Sequence, residues 1–98
     1  SRRIVVAYSV IFVGAKPFMN YVTGIVMQFS EHDADEVTIR ARGKFISRAV
    51  DIAQVTCDRF LENKAEVRHI AIGSEAFINE EGKNVRVSTI TIKLGKKV

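Results

Sequence analysis

The chain has 98 residues, 47% of them hydrophobic and 27% charged, with a formal net charge of +4. That length supports one domain (1–98) with one core, and the composition is that of a globular chain rather than a disordered one. A single cysteine excludes an internal disulfide framework, and no apolar run is long enough to span a bilayer as a helix. An intracellular, cytoplasmic protein is therefore the default expectation.

Arg2 and Arg3 precede a β-branched and aromatic run over residues 4–13, which predicts a central strand covered on at least one face. Gly14 and Ala15 end it, and Lys16 and Pro17 open the next element. Pro17 suits a first helical position, where its missing N–H costs nothing. Phe18, Val22, Ile25, Val26 and Phe29 then mark a helical apolar stripe, with Gly24 a weak point inside it. Residues 1–30 contain no acid at all, whereas Glu31, Asp33, Asp35 and Glu36 crowd the next loop. His32 in that loop is expected to be exposed.

Residues 37–42 alternate, with Val37, Ile39 and Ala41 on one side and Thr38, Arg40 and Arg42 on the other. This is the pattern of a half-buried strand with two guanidiniums on its wet face. After Gly43 the period lengthens. Ile46, Ala49, Val50, Ala53, Cys57 and Phe60 fall at steps of three and four, which predicts a helix of about four to five turns with these residues inward. Cys57 is expected to be an inert core thiol.

The turn between that strand and that helix carries Arg40, Arg42, Lys44 and Arg48, and no acid occurs between Val37 and Val50. A helix's first turn offers unpaired N–H groups and the positive end of its dipole, a natural place for an anion such as phosphate. A merely solvated basic face is the alternative. Lys16 stands at the mouth of the first helix as Lys44 does at the second, which suggests one shared surface.

A long hairpin is predicted from two arms, 66–79 and 84–94, joined through Glu80, Glu81, Gly82 and Lys83. Ile70 and Ile72 are expected to pack with Ile90, Ile92 and Leu94. An arm of that length spans ~45 Å at about 3.3 Å per residue. The helices span only ~25 Å at about 1.5 Å per residue, so the tip should project and grip a partner. The element order is βαβαββ: an α+β two-layer sandwich, with a four-stranded mixed sheet, both helices on one face and a protruding C-terminal hairpin.

Catalytic chemistry is not in view. Ser47 and Asp51 lie four apart with no histidine positioned to complete a triad, and Asp51 is expected to pair with Arg48. His69 has no partner at metal-ligand spacing, so no metal or other cofactor is expected.

The segments GAKPFMNYV, IRARGKFISRAVDIA, DRFL, IGSE and RVSTITI, in this order over residues 12–94, resemble the Alba family of archaeal chromatin proteins. The resemblance implies a homodimer, or a heterodimer with a paralogue, that binds double-stranded DNA and often RNA with little sequence preference. It implies central phosphate contacts at Lys16, Arg42 and Lys44, with Asn20, Tyr21, Arg40 and Arg48 nearby, and arm contacts at Lys83 and Arg86. Phe60 matches a position that joins one dimer to the next, its alternative being a core aromatic. It also implies a place on the nucleoid. Two departures stand out. The family commonly has a lysine pair before the proline, the first of which can be acetylated, and here Ala15 replaces one member and leaves Lys16 alone. Glu80 and Glu81 make the tip more acidic than a groove-entering arm should be. Three readings are open: a DNA-coating architectural protein, an RNA binder of the ribonuclease P-subunit type, or a structural subunit meeting an acidic protein.

Overall fold

The computed structural model describes residues 8–97. The elements are β1 (Tyr8–Phe12), α1 (Phe18–Ser30), β2 (Glu36–Arg42), α2 (Ile46–Val55), β3 (Ala65–Ile78) and β4 (Asn84–Lys96). A 3-10 turn, Gly43–Phe45, leads into α2, and a π turn, Thr56–Phe60, continues it. The strands order as β1-β2-β4-β3. β1 and β2 run parallel, while β4 is antiparallel to both of its neighbours.

Alternation decides which side of the sheet is covered. Val37, Ile39 and Ala41 of β2 stand opposite Leu94, Ile92 and Ile90 of β4, and all six are buried. Tyr21, Val22, Ile25 and Phe29 of α1 and Ala49, Ile52 and Ala53 of α2 close over them. Each large aliphatic buried this way contributes about 1.5–3 kcal/mol relative to exposure, so the shared helical face is what holds the two layers together. The opposite face, with Val10, Phe12, Arg40 and Arg42, carries no helix and stays open to solvent.

Four expectations are corrected. β1 lies at an edge of the sheet rather than its centre, and residues 4–7 of the expected strand fall outside the described residues. The inward stripe is Ala49, Ile52 and Ala53 of α2 with Thr56 and, as expected, Cys57 of the π turn, leaving Val50 and Phe60 exposed. For Phe60 the π turn is responsible, because its bond from the Leu61 N–H to the Thr56 carbonyl (2.9 Å) takes in one extra residue and swings Leu61 inward in place of Phe60. Val50 lies ahead of that turn, on the flank of the buried stripe. Ile70 and Ile72 stand opposite Ile92 and Ile90 as expected, yet are 56% and 83% exposed. They ride on the edge strand β3, which the helices do not cover. Arg48, finally, turns to the first β–α turn rather than to Asp51.

Cys57 is buried, and burial, reinforced by the neighbouring Asp58 carboxylate, pushes its thiol above the ordinary range. The hairpin outruns the sandwich: outward of Ile90 neither arm has a buried residue, and the long axis of the molecule reaches 52 Å. Its tip is tied by Asn79, whose side-chain oxygen accepts from the Glu81 and Lys83 N–H groups at 2.9 and 3.0 Å. Gly82 supplies the positive φ of 80° this turn needs.

Thr56 is fully buried, and its hydroxyl has no hydrogen-bond partner among the described residues. Thr56→Val keeps the shape and removes the unsatisfied polar atom, so it should stabilise the fold by about 1 kcal/mol. Denaturant unfolding would register this as a higher midpoint with unchanged slope, and a lower midpoint would contradict it.

Candidate nucleic-acid interface

Because β1 and β2 are parallel neighbours, both strands end at the same edge of the molecule, and both turns into helices emerge there. The pairing continues past β1, with the Val13 N–H donating to the Arg40 carbonyl at 2.8 Å. The first turn is built around Tyr21. Its ring is buried, and its hydroxyl oxygen accepts from the Gly14 N–H at 2.9 Å and the Lys16 N–H at 3.3 Å. Arg48, from α2, lies over the Tyr21 ring at 5.6 Å and donates to the Gly14 carbonyl. A charged donor to a carbonyl and a cation over a ring are each worth about 1–2 kcal/mol. Together they lock the two turns to one another.

The second turn depends on Gly43. Its φ of 54° lies in the left-handed region, and a Cβ there would meet a Val87 methyl at 3.1 Å. Only glycine lets the chain leave β2, touch the hairpin and enter the 3-10 turn without strain. Arg42 precedes it in extended backbone, and Lys44 follows with its ammonium 5.4 Å from the Phe45 ring. Neither the α1 first turn nor the turn opening α2 contains an acid or a side-chain cap, so no carboxylate competes for an anion beside Lys16 and Lys44.

The structure thus brings Lys16, Asn20, Tyr21, Arg40, Arg42, Lys44 and Arg48 to one end of the sandwich. Lys16, Asn20, Arg42 and Lys44 are exposed, whereas Tyr21 and Arg48 are held inward as the frame of the turns. Lys83 and Arg86 stand apart on the hairpin, Arg86 donating to the Ser74 hydroxyl at 3.3 Å. Phe60 lies at the other end of the second helix and is 49% exposed, which removes the core-aromatic reading.

Sequence reasoning missed two residues here. Glu75, from β3, reaches Arg42 at 3.5 Å and Arg40 at 3.9 Å, so the acid-free segment acquires a carboxylate from the hairpin. Phe12 is 68% exposed, with the Arg40 guanidinium 5.8 Å from its ring. Alternation in an all-apolar run could not say which side was wet, and Glu75 carried no signal. Among the described residues, no group of His, Cys, Asp and Glu could hold a metal, and no helix is long and apolar enough to cross a membrane.

These features define a class of small α+β protein, in which two basic strand-to-helix turns and a β-hairpin share one open surface. The Alba family model matches residues 9–74, and the chain belongs to the Alba family. It is 52% identical over 86 residues to the DNA/RNA-binding protein Alba of Methanocella arvoryzae, covering 88% of each chain. It is 41% identical over 88 residues to the DNA/RNA-binding protein Alba of Methanococcus maripaludis, covering 90% of this chain and 98% of that relative. The solved structure of Alba from Thermoplasma volcanium superposes with a TM-score of 0.80 at 43% identity, over 88% of this chain and 98% of that one. ALBA1 from Trypanosoma brucei gives 0.66 at 21% identity, over 89% and 68%, a likeness of fold alone. The two relatives' names describe binding to nucleic acid and neither describes a reaction.

Tyr21→Phe tests the frame of the first turn. Losing the hydroxyl strands two half-buried N–H groups and should cost about 1–2 kcal/mol. Hydrogen exchange should accelerate at the Gly14 and Lys16 amides, and unchanged protection there would show that the turn stands without Tyr21.

Proposed function

We propose that this chain is a nucleic-acid-binding protein rather than an enzyme, and that it acts as a dimeric architectural protein coating double-stranded DNA. The observation that carries the reading is the shared end of the sandwich. There Lys16, Arg42 and Lys44 flank two helix N-termini that have no side-chain cap and no acid in the first turn. Such groups bind phosphate oxygens, fix the protein on the backbone, and carry no base information. Asn20 adds a polar contact, Arg40 adds charge, and Tyr21 and Arg48 hold the turns in place. The names of the Methanocella and Methanococcus relatives support nucleic acid as the ligand class. The hairpin arms, with Lys83 and Arg86, extend the contact along the duplex. In this reading the protein resides on the nucleoid.

The dimer contact falls on Ile70 and Ile72, large aliphatics left open on the edge strand β3. Apolar groups in that position are characteristic of a surface a partner covers. Phe60, exposed at the far end of the second helix, serves contact between successive dimers. A paralogous chain with a matching edge could replace one protomer. The second reading, RNA as the main ligand, is favoured by the relatives' names, which give both nucleic acids. Backbone and shape contacts of this kind suit an RNA duplex equally.

Binding should weaken steeply with salt, with a log–log slope of about −5 for roughly six neutralised phosphates. Lys16→Ala with Arg42→Ala should flatten that slope by about one unit per lost contact and weaken every sequence alike. A flat salt response in the unmodified protein would contradict the reading. Competition between matched DNA and RNA duplexes decides between the two ligands.

Assembly has its own test by sedimentation. Ile72→Asp should leave a folded monomer, while Phe60→Ala should remain dimeric and lose only cooperativity on long duplexes. A dimer that survives Ile72→Asp would move the interface elsewhere.

A further inference from the structure

Beside the basic turns, at the carboxyl end of β1, the protein has a cleft of about 430 Å³ that adjoins the phosphate contacts through Arg40 and Arg42. Phe12, Arg40, Arg42, Phe45, Glu75 and Thr89 line it. That volume falls within the range of small-ligand sites, about 300–1,000 Å³, as does the character of apolar walls with a few convergent polar groups.

The lining is unlike a plain phosphate surface. Phe12 presents an exposed aromatic ring at the mouth, and the Arg40 guanidinium lies over it at 5.8 Å. Aromatic faces and guanidinium planes are the surfaces on which unpaired bases stack. The carboxylate of Glu75 repels phosphate, so it has no place in a site built for phosphate alone. Its two ion pairs, 3.5 Å to Arg42 and 3.9 Å to Arg40, are long, and the side chain is 43% exposed. The guanidiniums therefore offset its charge without saturating its oxygens.

A carboxylate only accepts hydrogen bonds. Among the nucleobases, guanine alone offers two adjacent donors, N1–H and the N2 amino group, on its Watson–Crick edge. Adenine and cytosine set one amino donor beside a ring-nitrogen lone pair, and uracil or thymine flanks one N–H with two carbonyls. Bases inside a duplex cannot reach the cleft. We propose that it takes one unpaired guanine, from a bulge or loop, stacked on Phe12 and Arg40 with its Watson–Crick edge on Glu75. This deepens, and rests on, the nucleic-acid reading of the adjoining surface.

The test is fluorescence anisotropy at one fixed salt concentration with short duplexes, fully paired or carrying a single central bulge of guanine, inosine or adenine. RNA and DNA versions identify the source of the base, and a guanine preference in either supports the proposal. The guanine bulge should bind about 10-fold more tightly than the paired duplex, the range that stacking one base gives. Inosine, which lacks the N2 amino group, and adenine should lose most of that gain. Phe12→Ala and Glu75→Gln should each return the guanine bulge to the level of the paired duplex, whereas Phe12→Tyr, which keeps the ring, should retain the preference. Equal binding of bulged and paired duplexes, or equal binding of every bulge, would overturn the proposal and leave duplex binding standing. Absence of binding to any duplex would overturn both.

Discussion

The parallel pairing of β1 with β2 is the constraint on which the rest of this surface depends. Parallel neighbours end at the same side of a sheet, so both chains must turn into their helices there. Two helix N-termini come together as a result, and nothing acidic lies in the first turn of either. Arg48 makes the arrangement rigid, reaching from the second helix to the Gly14 carbonyl and the Tyr21 ring of the first turn. Its guanidinium is thus committed to structure, while Lys16, Arg42 and Lys44 are left exposed.

Glu75 qualifies that picture in a useful way. An exposed ion pair of this kind contributes about 0–1 kcal/mol, and a phosphate offering charge-assisted hydrogen bonds competes with it readily. In the free protein the carboxylate holds Arg40 and Arg42 beside the hairpin base. Charge placement here thus comes from strand register as much as from local sequence, since Glu75 lies 33 positions from Arg42.

Legibility in the sequence obeys the same logic. β2 is legible because its two faces differ in polarity, and the hairpin emerges within two residues of its observed bounds. The edge position of β1 is not, since an all-apolar run looks the same at an edge as at the centre. For Ile70 and Ile72 the pattern gives the correct partners but the wrong environment, because which strand escapes the helices is set by tertiary packing. Phe60 reads as inward because no local signal announces the π turn that shifts the phase, and Val50 because it flanks the buried stripe at helical spacing. The basic residues are legible as a cluster; the division of the site into exposed contacts and an inward-held frame, the buried Tyr21 and half-buried Arg48, requires the fold.

The central claim is that the two β–α turns form one anion-binding surface. Amide chemical shifts followed during titration with a short duplex test it most directly. The amides of Lys16, Phe18, Met19 and Asn20 and those of residues 43–47 should move together, saturating at the same duplex concentration and losing the response together as salt rises. Perturbation of only one turn, or perturbation centred on the opposite end around Lys96 and Lys97, would contradict it.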